Sequence, residues 1–186
     1  MTGGPDPGAD AEGDTDPAGA EDAGDDVGRL SLSPDEVAGI VDLFGALTAA
    51  ELEEALAELA YRRGVEPPAD AVEDAKAAYA LVAVGPGAVD GAPGDALLAV
   101  GPAAFPELPE GAEDLPHLLD ADERRVDRAA LAAAVEERFR GDAARAVAAG
   151  EAAELRRLLD ASYEIEAWGP VDLGAVRDRL DDALDG

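Results

Sequence analysis

The chain has no cysteine, one histidine, one lysine and three serines among its 186 residues. Without cysteine there can be no disulfide framework, no zinc ribbon and no thiol nucleophile. Basic charge is scarce: Lys76 and thirteen arginines face 43 acids, a formal net charge of −29. Long apolar runs are missing as well. The longest uncharged stretch, Ala77 to Val89, has 13 residues and contains Gly and Pro, too short and too broken to span a bilayer. Met1 to Gly28 lacks the basic and apolar regions of a signal peptide, so a cytoplasmic protein is expected.

What is abundant is short carboxylate, with 24 Asp and 19 Glu. In dilute buffer such a surface repels itself and opposes the compact state. At about 1 M salt the screening length falls to roughly 3 Å and most of that repulsion disappears. Replacing lysine by short acids also leaves less apolar stem on the surface. The composition therefore points to the KCl-rich cytoplasm of a halophilic archaeon. A hydrophobic fraction of 47% with patterned helices argues against an acidic disordered chain over most of the length.

Residues 1–30 read as a disordered acidic tail; the first 28 hold nine acids and no base. Asp10, Glu12, Asp14 and Asp16 lack the spacing and closing Glu of a calcium loop and read as solvated tail. Order is expected from Leu32. Ser33-Pro34-Asp35-Glu36 is a capping box with Pro at the first helical position, and Val37, Ile40, Val41 and Phe44 form one apolar face. Thr48 and Glu51 repeat the box for a helix lined by Leu52, Leu56 and Leu59, with Gly64 as its stop. The two helices are expected to join through a tight turn. A third begins at Asp70, its face Val72, Ala75 and Tyr79. The period then changes: Ala80 to Val84 and Ala96 to Val100 flank a Gly/Pro-rich tip and read as a β-hairpin. Three short helices and a hairpin predict a winged-helix-like domain over 31–105. A Pro-rich connector, 106–122, leads to a helical bundle over 123–186. In it, Asp127 caps a helix broken near Gly141, helices follow over Ala143–Ala149 and Ala152–Trp168, and Asp172 caps the last. The expected class is mainly α with a small β-hairpin.

From Ser33 onward the phrases VDLFGALTAAELEEALAELAYRRG, VGPAAFPELPEGAEDLP, AVEERFRGDAARAV and SYEIEAWGPVDLGAVRDRLDDAL resemble those of a haloarchaeal family of unknown function. They carry no catalytic motif, so the resemblance implies a source and a fold but no activity, and no functional residue is carried over.

Chemistry is hard to place. His117, in a Pro-rich connector, has no nucleophile motif to serve, and none of the serines lies in Gly-x-Ser-x-Gly. Gly85, Gly87, Gly91 and Gly94 are followed by no Gly-Lys-Ser/Thr, and Asp90 and Asp95 would repel phosphate. No catalytic residue, cofactor or metal is assigned. In a winged helix the third helix reads the major groove. Here it holds three acids and one base, within a segment, 31–122, of net charge −16 from 19 acids and 3 bases. One region departs from this background. Residues 123–145 contain Arg124, Arg125, Arg128, Arg138, Arg140 and Arg145 against five acids. These arginines either form a contact surface for an anion, RNA or an acidic partner, or pair internally with Glu136, Glu137, Asp142 and the acids of 31–122. The expectation is a non-catalytic protein-interaction or regulatory module with a protein partner and no membrane contact. A DNA-binding regulator and a carboxylate-metal enzyme are the alternatives. Dialysis into dilute buffer is expected to loosen or melt the helices; a 222 nm circular dichroism signal and melting point that survive unchanged would refute the salt argument.

Overall fold

Both capping boxes form. Ser33 Oγ accepts from Glu36 N at 3.1 Å while Glu36 receives Ser33 N at 2.8 Å. Thr48 and Glu51 do the same at 3.2 and 2.7 Å. The chain is described by a computed structural model over residues 28–92 and 94–185. It runs α1 (Pro34–Asp42), β1 (Ala46–Thr48), α2 (Ala49–Arg63), α3 (Ala71–Ala77), β2 (Leu81–Val84), β3 (Leu97–Val100), α4 (Leu115–Leu118), α5 (Arg128–Ala149), α6 (Ala152–Trp168) and α7 (Gly174–Asp185). The protein is mainly helical with a small antiparallel sheet of strand order β1-β3-β2.

That sheet divides the molecule. Leu81 pairs with Val100, Val82 with Ala99 and Val84 with Leu97, while Ala46 and Leu47 of β1 pair with Ala99 and Leu98. Side chains alternate faces along a strand. Leu47, Leu81, Leu98 and Val100 therefore join the core of α1, α2 and α3. Ala46, Val82, Val84, Leu97 and Ala99 face the other way, into the core of α5, α6 and α7. A sheet covered on both sides needs nearly continuous apolar strands, which is what LVAV and LLAV supply.

Several expectations need correction. The turn between the first two helices contains β1, a strand too short to show periodicity. Gly141 does not break its helix: α5 runs unbroken through it. An interior glycine costs about 1 kcal/mol, which is outweighed because Leu131, Val135 and Phe139 before it and Ala143 and Ala146 after it bury one continuous stripe. Tyr79 is not on the face of α3. It lies beyond the helix with φ 59°, and its ring enters the core of the C-terminal helices. Asp70 makes no side-chain cap. At α7, Asp172 Oδ1 accepts from Gly174 N, and Glu166 takes Leu173 N at 2.7 Å. The acidic tail through Val27, with Asp10 to Asp16, lies outside the described residues. Its last positions do not behave as tail: Leu30 N donates to Glu66 O at 2.8 Å and its side chain is buried.

The connector is seated on α1. Phe105 N donates to Asp35 Oδ1 at 2.8 Å and Glu107 N to Asp35 O at 3.1 Å. A Cβ on Gly39 would lie 2.1 Å from the Glu107 carbonyl oxygen, a backbone atom that cannot turn aside. Gly39→Ala is therefore expected to destabilise by about 1–3 kcal/mol in denaturant unfolding at molar KCl. Gly87→Ala, whose Cβ would meet nothing within 4 Å, should stay within about 0.5 kcal/mol of wild type. Equal midpoints for the two variants would show that the connector is not held against α1.

Candidate functional site

Among the described residues, two sets of charged contacts join the sheet and its N-terminal helices to α5, its approach and α6, besides those that Arg62 and Arg63 make with residues 110–114. In the first, Glu51 at the start of α2 receives Arg124 through two hydrogen bonds, Nη2 to Oε1 at 2.6 Å and Nη1 to Oε2 at 2.7 Å. The guanidinium also donates to Ala46 O of β1 at 3.0 Å, and Arg124 N donates to Phe44 O at 2.7 Å. The Arg124 side chain is 6% exposed and that of Glu51 21%. The Arg124 hydrogen bonds, helped by those from Thr48, hold the Glu51 carboxyl at about 2 against the opposing effect of burial.

The second is a groove of about 670 Å³ between the end of α3, β2, α5 and α6. The last carbonyls of a helix have no partner within it. Here Arg138 donates to Lys76 O, and Arg157 Nη1 donates to Ala77 O at 3.1 Å. Arg138 also reaches Leu81 O at 3.0 Å, while its guanidinium carbon lies 4.4 Å from the centre of the Tyr79 ring. The Tyr79 hydroxyl donates to Asp142 Oδ2 at 2.5 Å. Asp142 further receives Arg138 at 3.4 Å and Arg145. Glu154 and Glu73 hold Arg157 and Lys76 at 2.6 and 2.8 Å. Burial, then the neighbouring Asp142, push the Tyr79 hydroxyl far above its ordinary range. It is a hydrogen-bond donor and not a base. The groove thus gathers four of the chain's bases with acids that hold them, and it joins no nucleophile to a general base.

The six arginines singled out by sequence have different surroundings. Arg124 is buried against Glu51. Arg138 and Arg145 meet at Asp142. Arg140 pairs with Glu136 at 2.5 Å. Arg128 stacks 5.8 Å from the Trp168 ring. The Arg125 side chain is exposed and has no carboxylate partner among the described residues, while its carbonyl accepts from Asp90 N at 3.1 Å. His117 is exposed on α4. Among the described residues no three of His, Asp and Glu converge as metal ligands, and no helix is long and apolar enough to cross a membrane. Sequence reasoning missed Arg157 and placed Tyr79 on the wrong element; neither is marked by a local pattern, because both act on backbone or side chains more than 60 residues away. Arg138, Asp142 and Arg145, at i, i+4 and i+7 of one helix, carry the one readable signal.

Fold and site together define a mainly helical protein whose sheet is sandwiched between two helical layers and whose buried charges neutralise one another. The chain belongs to a family of unknown function, DUF7109, whose model matches residues 35–185. No curated protein and no solved structure matches it.

Glu51 ionises more readily in the folded than in the unfolded chain. Its contribution is complete above roughly pH 5 and is lost as pH falls towards 2. At neutral pH, Glu51→Gln is expected to cost about 3 kcal/mol, since the charge of Arg124 stays buried without its partner. The gap between wild type and variant should narrow steadily as unfolding is measured at lower pH. A gap independent of pH would refute the pairing.

Proposed function

We propose that the protein is a non-catalytic interaction or regulatory module of a halophilic archaeon, acting in the KCl-rich cytoplasm. Within it, a winged-helix-like unit over 31–105 serves to dock protein. The supporting architecture is the order helix, strand, helix, helix, strand, strand with an antiparallel β1-β3-β2 sheet. That order alone is a fold-level analogy and is shared by DNA readers.

The observation that carries the protein-docking reading is the outward face of α3. It presents Glu73 and Asp74 to solvent, and its one base, Lys76, is tied to Glu73 at 2.8 Å. DNA recognition asks for phosphate-neutralising bases and for side chains that donate to base edges. A helix with two exposed carboxylates and a committed lysine repels phosphate and has no side chain free to donate to a base edge. The far face of the sheet is also taken, by α5 to α7.

Affinity capture in molar KCl is expected to return a protein in defined ratio to the chain. Fluorescence anisotropy with labelled duplex DNA should show no salt-dependent binding. Repeated recovery of the chain alone would refute the reading, and discrete genomic sites in chromatin capture would replace it with a DNA-binding regulator.

A further inference from the structure

The connector that sits on α1 has an unusual outer side. Its sequence is Ala104-Phe105-Pro106-Glu107-Leu108-Pro109. Each proline fixes its own φ and keeps the residue before it out of the helical region. Phe105 and Leu108 are therefore locally extended whatever surrounds them, and residues 104–109 form no helix or strand. The backbone is also anchored, by the two hydrogen bonds to Asp35 and by the close approach to Gly39. Yet Phe105 is 83% exposed and Leu108 42%, while the other two phenylalanines, Phe44 and Phe139, are at most 1% exposed.

Single apolar residues on a surface need no explanation. Here two of them, three positions apart, project from a strap whose main chain is held in place from behind. Docking such a strap requires little backbone ordering. The same anchoring restricts how it can be bound. The N–H groups of Phe105 and Glu107 point inward to Asp35, and Pro106 and Pro109 have none. The strap therefore cannot extend a partner's sheet, which would need alternating outward donors. Side chains are what it offers, since the Glu107 carbonyl faces Gly39 and that of Pro109 accepts from Ala112 N. Its own charges are of one sign: Glu107 and Glu110 are exposed and their carboxylates have no ion-pair partner among the described residues, although Arg63 and Arg62 reach the carbonyls of Glu110 and Gly111 just beyond it.

We propose that Phe105–Pro109 is the docking element of the interaction module inferred above, and the inference rests on that reading. Phe105 and Leu108 enter an aromatic-lined apolar groove of a partner protein. Arginines on the rim of that groove meet the carboxylates of Glu107 and Glu110. Such Arg–carboxylate contacts are short-range hydrogen bonds, less weakened by salt than long-range attraction.

The test uses the full chain with the photocrosslinker p-benzoylphenylalanine at position 105, in source-cell lysate at molar KCl. A second chain carries it at position 61, where Tyr61 is similarly exposed at 81%. One discrete adduct with another protein is expected from 105 and not from 61. Phe105→Ser with Leu108→Ser, both solvent-facing, should keep the circular dichroism spectrum and lower recovery of that same protein about tenfold or more. Equal recovery by the double variant, indistinguishable adducts from 105 and 61, an adduct with a second copy, or one with residues 1–27 would each overturn the proposal. A partner captured in defined ratio without an adduct at 105 sinks the strap and leaves the interaction reading standing. No partner by either route sinks both.

Discussion

The carboxylate of Glu51 holds three parts of the chain together. It closes the first turn of α2 by accepting Thr48 N, and it takes the guanidinium of Arg124 with both oxygens. Arg124 in turn binds the carbonyls of Phe44 and Ala46, so the approach to α5 is tied to the edge strand β1. An ion pair withdrawn from water is weak evidence of net stability, because desolvation opposes the attraction. Its force lies in the alternative: either charge left alone in that site would be far worse. The pair therefore selects one arrangement of connector, strand and helix. It is also little affected by dissolved ions, unlike the charges on the surface.

Surface charge behaves in the opposite way. A net charge of −29 makes the outside self-repelling, and several of the cations that would relieve it are engaged within the fold, although most remain exposed. Arg138 and Arg157 spend their donors on the carbonyls at the end of α3, and Arg138, Arg140, Arg145 and Arg177 are held by neighbouring acids. The result is a molecule with neutral seams and an acidic exterior. That division limits function as much as any motif does. It also directs attention to apolar features, which salt does not screen.

Much of the local structure was legible. Ser33 with Glu36 and Thr48 with Glu51 placed two helix starts because capping is settled within four residues. Gly64 marked an end by taking a left-handed φ of 67°. Val82, Val84, Leu97 and Ala99 announced strands through apolar runs, although periodicity could not reveal that both faces of the sheet are buried. What failed was long-range. Gly141 sits in an unbroken helix because the stripe on either side of it packs against the sheet and the other two helices. Tyr79 leaves its helix because Asp142 and Arg138, some 60 residues on, provide a place for its ring and hydroxyl. For Arg124 the sequence left open a contact surface or internal pairing with the acids of 31–122; the fold pairs it with one of those acids, Glu51.

Taken alone, the sequence determined the large excess of acid over base, the absence of thiol chemistry, the helix starts and the extended character of Phe105 to Pro109. Each of these follows from composition or from sterics and hydrogen bonds among near neighbours. Only the tertiary structure decided which arginines are consumed, which face of the sheet meets which helices, and that the N–H groups of Phe105 and Glu107 point inward while the Phe105 side chain points out. Those outcomes depend on groups brought together across 60 to 80 residues, and no local pattern records which distant carbonyl or carboxylate a side chain will meet.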